Sequence, residues 1–536
     1  MESEGKAISE NRNVSRAAGI IGFYTFLSRI LGLVRDVVLA RYFGSGLVAD
    51  AFFVAFRIPN LLRRLFAEGS LTIAFIPVFT EYLRQKTKAE AFQLAAVVLT
   101  LLTLALSLLT VTGILFSPWI VRIQAFGFGG SGIKYELTVL LTRITFPYVF
   151  LIGLTALCMG ILNSLRHFAA PAAAPIFLNV GIIGATLWIS PRLAEPIVGV
   201  AIGVLMGGIL QVALQVPWIL KEGLPLTPAW MPNHPAVKRI GALMLPALFG
   251  SAVYQFNQFI GTLLASFLSE GSISWLYYAD RLVQFPLGVF AIAVSTAALP
   301  SFSRQVAAQD LQELVKTLGH ALRFVFFIAI PSTAGLMITG RLVIKVFFER
   351  GAFGAQAGAM TFEALLGYSI GLWAFSGIRI LASAFYAFQD TRTPVKIATV
   401  SLAANLLFSL VLMGPLKHGG LALALSLAST LQFGLLAYAL KLRLTTWPLA
   451  PILNSALKSI LSSIIMAICV YVLYDTFWLE TISPSGLYSG GILIVLVLSG
   501  LLVYLSVARI LGCPEVGACL DLVKPLLKKI GAKPNH

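Results

Sequence analysis

The sequence predicts an all-α polytopic membrane protein with about 14 transmembrane helices, arranged as two six-helix lobes in a parallel repeat plus two C-terminal helices. Of its 536 residues, 58% are hydrophobic and 11% are charged, whereas soluble domains carry about 25% charged residues. Long segments such as 91–119 and 492–507 contain no Asp, Glu, Lys or Arg. Because a helix needs about 20 apolar residues to cross a bilayer, these runs indicate membrane spans.

The predicted spans follow one another through short connections. To within a few residues, they lie at 18–43, 47–81, 91–117, 136–163, 170–189, 196–220, 238–268, 272–303, 318–339, 360–388, 394–413, 418–441, 455–475 and 487–510. The longest outward connections, near 118–135 and 340–358, are too short for a catalytic domain. The chain has no GxxxxGK[ST] run, so the sequence predicts no built-in ATPase.

The distribution of basic residues predicts the orientation of the spans. With the N-terminus in the cytoplasm, the cytoplasmic segments hold 23 of the 39 Lys and Arg residues and the opposite side holds 7. Cytoplasmic loops of membrane proteins carry this excess of positive charge. We therefore predict a bacterial inner membrane protein with both termini in the cytoplasm. The formal charge of +17 is then largely a topological signal, and no nucleic-acid partner is predicted.

Matching proline positions suggest an internal repeat. Pro77 and Pro300 are 223 positions apart, and so are Pro171 and Pro394. Parallel repeats related by an axis along the membrane normal are a transporter architecture with the substrate site between the halves. The predicted units are an N-terminal lobe at 1–222, a C-terminal lobe at 223–445, and helices 13 and 14 with a basic cytoplasmic tail at 446–536.

Arginines inside the predicted spans are the main functional signal. A charged side chain at the centre of a membrane helix costs about 2.5–3.5 kcal/mol on insertion scales, so such residues usually face a cavity or a partner. With the basic residues near the cytoplasmic ends of the spans counted as cytoplasmic, those that remain inside the spans are all Arg. The planar guanidinium of Arg can hold a phosphate through two parallel hydrogen bonds. We predict a substrate-binding set of Arg29, Arg35, Arg63 and Arg281.

Span one leaves two interpretations of Arg35 open. Arg29, Gly32 and Asp36 share one helical face, whereas Arg35 is six positions from Arg29 and points about 120° away in an ideal helix. Both arginines can face one cavity if the helix bends at Gly32. Alternatively, Arg35 pairs with Asp36 or with another helix as a structural contact.

Span two supplies further supporting residues. Asp50 lies near the outer mouth, where it is either a gate charge or an interfacial residue. Arg57 begins a polar stretch around Pro59, and irregular backbone at membrane depth is tolerated only beside protein or water. Arg64 and Glu68 are four positions apart and are predicted to pair on the helix surface.

Span eight carries a polar stripe on an otherwise apolar helix. Ser274, Tyr277, Arg281 and Gln284 recur at helical spacing, as expected for a face that lines a cavity. The same stripe is also compatible with a polar seam between helices. Asp280 is predicted to hold Arg281 in place or to pair with another arginine.

These residues favour transport of an anion over catalysis. Four arginines in a lipid-embedded cavity suit a diphosphate or several carboxylates, whereas a proton relay needs chains of Asp, Glu and His. The acidic residues of the outward loops do not cluster as a glycosyl- or phosphotransferase would need. The four cysteines predict neither a disulfide framework nor a metal site. We therefore predict no enzyme activity, no metal and no cofactor.

Several runs resemble a known family. They are Ser28–Asp36 (SRILGLVRD), Ala49–Phe56 (ADAFFVAF), Pro59–Gly69 (PNLLRRLFAEG), Tyr277–Arg281 (YYADR) and Thr393–Lys396 (TPVK). Together they resemble the MurJ (MviN) lipid II flippases of the multidrug/oligosaccharidyl-lipid/polysaccharide exporter superfamily. The resemblance extends from about residue 15 to residue 510.

The resemblance implies fourteen helices in two lobes, a central cationic cavity and alternating access. Arg29, Arg35, Arg63 and Arg281 match the family's cavity arginines, and Asp50 matches an acidic residue that matters there. It also implies a groove for the undecaprenyl tail between the last two helices. Some members bind sodium through acidic residues of the second lobe, but the corresponding helices here carry no Asp or Glu.

The function implied is the transfer of lipid II, the undecaprenyl-diphosphate-linked peptidoglycan precursor, from the cytoplasmic to the outer leaflet. The alternatives are a flippase for another polyprenyl-diphosphate-linked glycan and a drug/cation antiporter of the same superfamily. Lipid II and membrane lipids are the expected partners of a monomer. Without an ATPase, the expected energy source is the membrane potential or an ion gradient.

Overall fold

The computed structural model describes residues 2–65, 71–224, 227–444, 446–479 and 486–518. Within these ranges the regular structure is helical, and none of the described residues forms a β-strand. The predicted all-α class is therefore confirmed. The chain divides into two compact units.

The first unit comprises Met1–Ser274 together with the short segment Gly351–Phe353. Its helices are α1 (Glu2–Phe43), α2 (Leu47–Leu65), α3 (Leu71–Gln85), α4 (Lys88–Leu115), α5 (Ser117–Gln124), α6 (Ile133–Thr145), α7 (Tyr148–Ser164), α8 (Ala169–Trp188), α9 (Pro196–Lys221) and α10 (Pro235–Ser266).

The second unit comprises Trp275–Arg350 and Gly354–His536. Its helices are α11 (Ser272–Pro286), which begins in the first unit, α12 (Ile292–Ala307), α13 (Leu311–Phe347), α14 (Ala355–Ile370), α15 (Leu372–Ala387), α16 (Arg392–Lys441), α17 (Leu449–Leu479) and α18 (Gly486–Ile510). A π-helix at Leu287–Ala291 joins α11 to α12.

Eight helices of the described ranges are long and apolar enough to cross a membrane, and the bent pair α14–α15, with a 42° break, makes nine. The span predicted at 272–303 is divided between α11, the π-helix and α12. The span predicted at 47–81 contains α2 and α3, and residues 66–70 between them lie outside the described residues. The total of 14 spans therefore stays a prediction.

Two predicted spans form one element, α16, whose backbone breaks at Lys417 with φ 47° and ψ −129°. This break lies in the turn predicted between 413 and 418. The lobe boundary predicted at 222 also stays a prediction, because the contacts group α10 with the first unit. One of these contacts is the ion pair between Arg239 on α10 and Glu81 on α3, at 2.8 Å.

Glycines bring α8 and α9 into close contact in the first unit. A Cβ on Gly181 would lie 2.5 Å from the backbone nitrogen of Gly207, and a Cβ on Gly203 would lie 2.9 Å from the carbonyl oxygen of Gly181. Helices in a membrane gain little from the hydrophobic effect and associate through such close packing of small residues. This glycine seam fixes α8, whose Asn179 contacts α1.

The second unit holds its C-terminal helices through buried polar contacts. The Tyr504 hydroxyl of α18 donates a 2.6 Å hydrogen bond to the Phe327 carbonyl of α13. Beyond α18 the chain turns back, and the buried Glu515 carboxylate lies 3.3 Å from Nε of Arg323 on α13. Sequence reasoning assigned no role to Arg323 or Glu515. Arg323 lies five residues after the start of the span predicted at 318–339. A charged residue at that position could have indicated a buried acidic partner.

In each unit, one turn is held by contacts between an acidic and a basic side chain. In the first unit, His167 lies 2.8 Å from Glu222, which also pairs with Lys88. In the second unit, Asp390 pairs with Arg443. Burial would raise the pKa of Asp390, but hydrogen bonds from Thr393 and the Arg443 charge outweigh it and lower the pKa to about 2. His167 and Asp390 are 223 positions apart, the same spacing as the two proline pairs, and the repeat stays a prediction.

We expect Gly181→Ala to destabilise the protein by about 1–3 kcal/mol, because the added methyl group must push α8 and α9 apart. Gly184→Ala is the matched control, three residues along the same helix, where a Cβ would meet only the Trp188 ring at 3.4 Å. The thermal midpoint of the detergent-purified protein checks this expectation. Equal midpoints for the two variants would contradict the account of the seam.

Candidate functional site

Arg29 and Arg35 lie on α1 in different surroundings. Arg29 is exposed. Arg35 is largely buried, and its Nε and Nη2 donate hydrogen bonds of 3.0 and 2.7 Å to Oδ1 of Asp36. Its Nη1 donates a 3.1 Å bond to Oδ1 of Asn179 on α8. The guanidinium is thus held between a buried carboxylate and a side-chain amide.

Asn179 fixes the packing of α8 on α1 as well as the position of Arg35. Its Nδ2 donates to the Ser28 carbonyl at 3.2 Å, and it would lie only 3.9 Å from a Cβ at Gly32. The structure therefore contains the pairing of Arg35 with Asp36 and a second helix, one of the two possibilities that the sequence left open. α1 continues as a helix through Gly32.

The arginines of α2 have polar partners. Nη1 of Arg57 donates to Oε1 of Gln258 on α10 at 3.1 Å, and Nε of Arg63 donates to Oδ1 of Asn60 at 3.0 Å. Arg64 is half-buried. Glu68 lies outside the described residues, so its pairing with Arg64 stays a prediction.

Asp50 accepts four hydrogen bonds. Its carboxylate is 1% exposed. Oδ1 accepts hydrogen bonds from the backbone nitrogen and the hydroxyl of Ser274, at 2.9 and 2.7 Å. Oδ2 accepts from the Gly271 backbone nitrogen and from Nζ of Lys134, both at 2.9 Å.

These contacts make Asp50 the cap of α11. The first backbone N–H groups of a helix have no partner within the helix, and a carboxylate there is also favoured by the helix dipole. Lys134, at the start of α6, lies 4.3 Å from the centre of the Phe128 ring and neutralises the carboxylate. One side chain of α2 therefore joins the beginnings of α6 and α11. Whether Asp50 also acts as a gate charge stays a prediction.

Arg281 lies on α11, two turns after this cap. Its Nη2 donates to the Tyr277 hydroxyl at 2.9 Å, and the guanidinium carbon lies 4.7 Å from the centre of the Tyr277 ring. Nε2 of Gln284 donates to Oδ1 of Asp280 at 3.3 Å. The polar stripe of span eight is thus organised along its own helix by contacts four residues apart. Pro286 ends α11 and the π-helix follows.

Arg29, Arg35 and Arg63 belong to the first unit and Arg281 to the second. Their convergence on one substrate cavity stays a prediction. Sequence reasoning missed Lys134, which lies in the outward connection predicted near 118–135. It also missed Asn179 and Gln258 as partners of Arg35 and Arg57. Asn179 is an amide side chain in an otherwise apolar helix. Such a residue could have been identified from the sequence as a candidate for a contact between helices. In the described part of the chain, no group of three or more His, Cys, Asp or Glu residues could hold a metal ion.

Comparisons with known proteins agree along most of the chain. A family model described as "Lipid II flippase MurJ" matches residues 39–488. A protein of Vibrio cholerae serotype O1, named "Probable lipid II flippase MurJ", is 39% identical over 443 residues, which cover 81% of this chain and 84% of the relative.

Solved structures extend this likeness to the fold. A structure described as "Lipid II flippase MurJ, inward closed conformation" matches with a TM-score of 0.77 and 29% identity, covering 91% of this chain and 98% of the other. An inward-facing multidrug resistance MATE family transporter of the MOP superfamily matches with a TM-score of 0.66 and covers 78% of this chain and 94% of its own. At 14% identity, the second likeness concerns the fold alone.

We expect Asp50→Asn to destabilise the protein by about 3–5 kcal/mol, the usual cost of breaking a buried ion pair. The amide nitrogen would face donors that now meet a carboxylate oxygen. Lys134→Met breaks the same ion pair but keeps the three hydrogen bonds from Gly271 and Ser274 and brings no two donors together, so a smaller loss is expected. Thermal unfolding in detergent checks whether Asp50→Asn lowers the stability more than Lys134→Met does. An Asp50→Asn protein as stable as the wild type would contradict the capping role.

Proposed function

The chain belongs to the MurJ family of lipid II flippases, and we propose that it carries lipid II from the cytoplasmic to the outer leaflet by alternating access. The family match over residues 39–488 and the 39% identity to a named relative over 81% of this chain carry the substrate assignment. The residue types in the spans fit this substrate. The predicted binding residues are all Arg, and the substrate contains a diphosphate.

Arginine suits this task for a physical reason. The diphosphate must leave water to enter a membrane-embedded cavity, and guanidinium groups can replace its hydration with directed, charge-assisted hydrogen bonds. Unlike Lys, Arg is weakly hydrated and always charged, so it loses little when water is removed. We assign diphosphate binding to Arg29, Arg35, Arg63 and Arg281, while the lipid tail remains in the bilayer.

The contacts of Arg35 support a graded role for the four arginines. Arg35 is held by Asp36 and Asn179, so a diphosphate that binds it must compete with a carboxylate or share the guanidinium with it. Arg29 is exposed and is offered to the substrate first. Because Asp36 partly neutralises Arg35, the site holds the anion without binding it too tightly for release on the other side.

Asp50, Arg57, Tyr277, Asp280 and Gln284 have supporting roles in this proposal. Asp50 fixes the start of the helix that carries Arg281. Tyr277 positions the Arg281 guanidinium through both a hydrogen bond and its ring face. These residues act on the substrate through the arginines rather than by contact with it.

We place the protein in the bacterial inner membrane as a monomer with both termini in the cytoplasm, on the strength of its Lys and Arg distribution. It acts as a transporter and not as an enzyme, and it needs no cofactor. The membrane potential is the proposed energy source. A potential of 100 mV is worth about 2.3 kcal/mol per elementary charge, and an inside-negative potential favours exit of the anion and return of the emptied cationic site.

In a bacterium depleted of its own flippase, we expect the wild-type gene to restore lipid II in the outer leaflet. Arg29→Ala and Arg281→Ala should reduce this delivery at least about tenfold, because each removes a charge-assisted contact of about 1.5–3 kcal/mol. Arg122→Ala is the matched control, an exposed arginine in the last turn of the short helix α5 that should leave delivery unchanged at equal membrane levels.

Two outcomes would contradict the proposal in different ways. Full activity of Arg29→Ala and Arg281→Ala would make those arginines structural. Failure of the wild-type protein to restore lipid II, despite normal membrane levels, would point to another polyprenyl-diphosphate-linked glycan as the substrate.

Collapsing the membrane potential with valinomycin in potassium-balanced medium should slow lipid II delivery, because the anion then leaves without an electrical driving force. Nigericin, which removes the pH gradient and leaves the potential, is the control. Undiminished delivery without a potential would exclude this energy source.

A further inference from the structure

Amide side chains hold three of the span arginines within the first unit. In each pair a guanidinium nitrogen donates to the amide oxygen: Arg35 to Asn179 at 3.1 Å, Arg57 to Gln258 at 3.1 Å and Arg63 to Asn60 at 3.0 Å. Exposed basic residues of the same unit instead pair with carboxylates, as Lys88 does with Glu222 and Arg239 with Glu81. An amide oxygen accepts a hydrogen bond without cancelling the charge of the donor. These amide contacts therefore orient the arginines without neutralising them.

Asn179 joins Arg35 to a second helix. It lies on α8, is 5% exposed, and accepts from Nη1 of the guanidinium. The other two guanidinium nitrogens, Nε and Nη2, both donate to the same oxygen, Oδ1 of Asp36. One oxygen is a single point about which the guanidinium can turn. The bond to Asn179 supplies a second point, on the remaining nitrogen, and so fixes the plane of the guanidinium.

Gly32 provides the space on α1 in which Asn179 lies. Nδ2 of Asn179 donates to the Ser28 carbonyl of α1 at 3.2 Å and to the Pro175 carbonyl of its own helix at 3.4 Å. A Cβ on Gly32 would lie 3.9 Å from that nitrogen, so the amide lies beside a residue that has no side chain. Because Nδ2 is directed to two carbonyl groups, the amide oxygen is the atom that faces Arg35. The hydrogen bonds themselves therefore set the orientation of the amide group.

The amide also sets the net charge of this cluster. Arg35 and Asp36 together are formally neutral, and Asn179 leaves that sum unchanged. A carboxylate at position 179 would make the cluster anionic and repel a diphosphate, whereas an aliphatic side chain would let the guanidinium turn further onto Asp36. Asn combines an acceptor and a donor with no charge, so it can hold Arg35 without making the cluster anionic.

We propose that Asn179 is a positioning residue of the diphosphate site, which fixes the plane of the Arg35 guanidinium and keeps its surroundings from becoming anionic. The inference rests on the proposed function, in which Arg35 binds the diphosphate of lipid II. Asn179 contacts no substrate in this role and acts through Arg35. A guanidinium that is already held in one plane loses less conformational freedom when it binds an anion, so Asn179 raises the affinity of the site.

A double-mutant cycle tests this role. The affinity of the detergent-purified protein for lipid II is measured by native mass spectrometry for the wild type, Asn179→Leu, Arg35→Ala and the double variant. We expect Asn179→Leu to weaken binding about tenfold, and to have no further effect in the Arg35→Ala protein, because its partner is then absent. Asn179→Asp should bind more weakly than Asn179→Leu, since it adds a negative charge beside the site.

Gln211→Met is the matched control. Gln211 of α9 is also buried, and its Nε2 joins it to a second helix through a 3.1 Å bond to the Ala174 carbonyl of α8. Its amide oxygen accepts from the Tyr148 hydroxyl, so the described side-chain bonds of Gln211 involve no arginine. The control should lower the thermal midpoint, because buried polar partners lose their hydrogen bonds, and it should leave lipid II affinity unchanged.

The outcomes distinguish the positioning role from the proposed function. An equal loss from Asn179→Leu with and without Arg35 would overturn the positioning role, and so would a Gln211→Met protein that loses as much affinity as Asn179→Leu. If the wild type binds lipid II and both Asn179 variants bind it equally well, the positioning role alone fails. If the wild type itself binds no lipid II, the proposed function fails and the positioning role fails with it.

Substitutions at Gly32 test the same role without changing Asn179 or Arg35, and they decide the question if Asn179→Leu does not fold. Gly32→Ala places a methyl group 3.9 Å from Nδ2 of Asn179, which is an ordinary contact, and should bind lipid II as the wild type does. Gly32→Val adds two further methyl groups beside the amide, and we expect it to displace Asn179 and weaken binding several-fold. Equal affinities of the Ala and Val proteins would show that the place of the amide on α1 does not matter, against the proposal.

Discussion

The cost of a charge in a low-dielectric membrane governs the arrangement of polar residues in this protein. An ionised group that loses water must regain equivalent contacts from the protein. The Asp50 carboxylate shows this most fully, with two backbone N–H groups, a hydroxyl and an ammonium around its two oxygens. Because those donors come from the beginnings of α6 and α11, satisfying one charge also fixes the placement of two helices.

The same constraint explains why the arginines differ in their surroundings. Arg35, Arg57 and Arg281 each have side-chain partners, and Arg35 is held by both a carboxylate and an amide. Arg29 is exposed. A transport site must bind an anion and then release it, so a set of partly compensated cations is better suited than a set of fully uncompensated ones. Glycines at the α8–α9 seam let these two helices pack closely and hold α8, whose Asn179 is a partner of Arg35.

The fold class was predictable because the apolar runs and the excess of cytoplasmic Lys and Arg depend on the sequence alone. Contacts between residues close together in the sequence, such as the Arg35–Asp36 pair, were also predictable. The cap formed by Asp50 was not, because its partners lie 84, 221 and 224 positions away and no local pattern encodes them. The pairing of Arg323 with Glu515 escaped prediction for the same reason. The π-helix after Pro286 divides one predicted span into shorter helices, which is one reason why the number of spans predicted from hydropathy and the number of long helices differ.

The central claim is that the arginines of the spans bind the diphosphate of lipid II. The most direct measurement is the affinity of the purified protein for lipid II and for undecaprenyl monophosphate by native mass spectrometry, comparing the wild type with Arg29→Ala and Arg281→Ala. The account predicts that each substitution weakens lipid II binding about tenfold, or about 1.4 kcal/mol, and affects the monophosphate less. Unchanged lipid II affinity in both variants would contradict it.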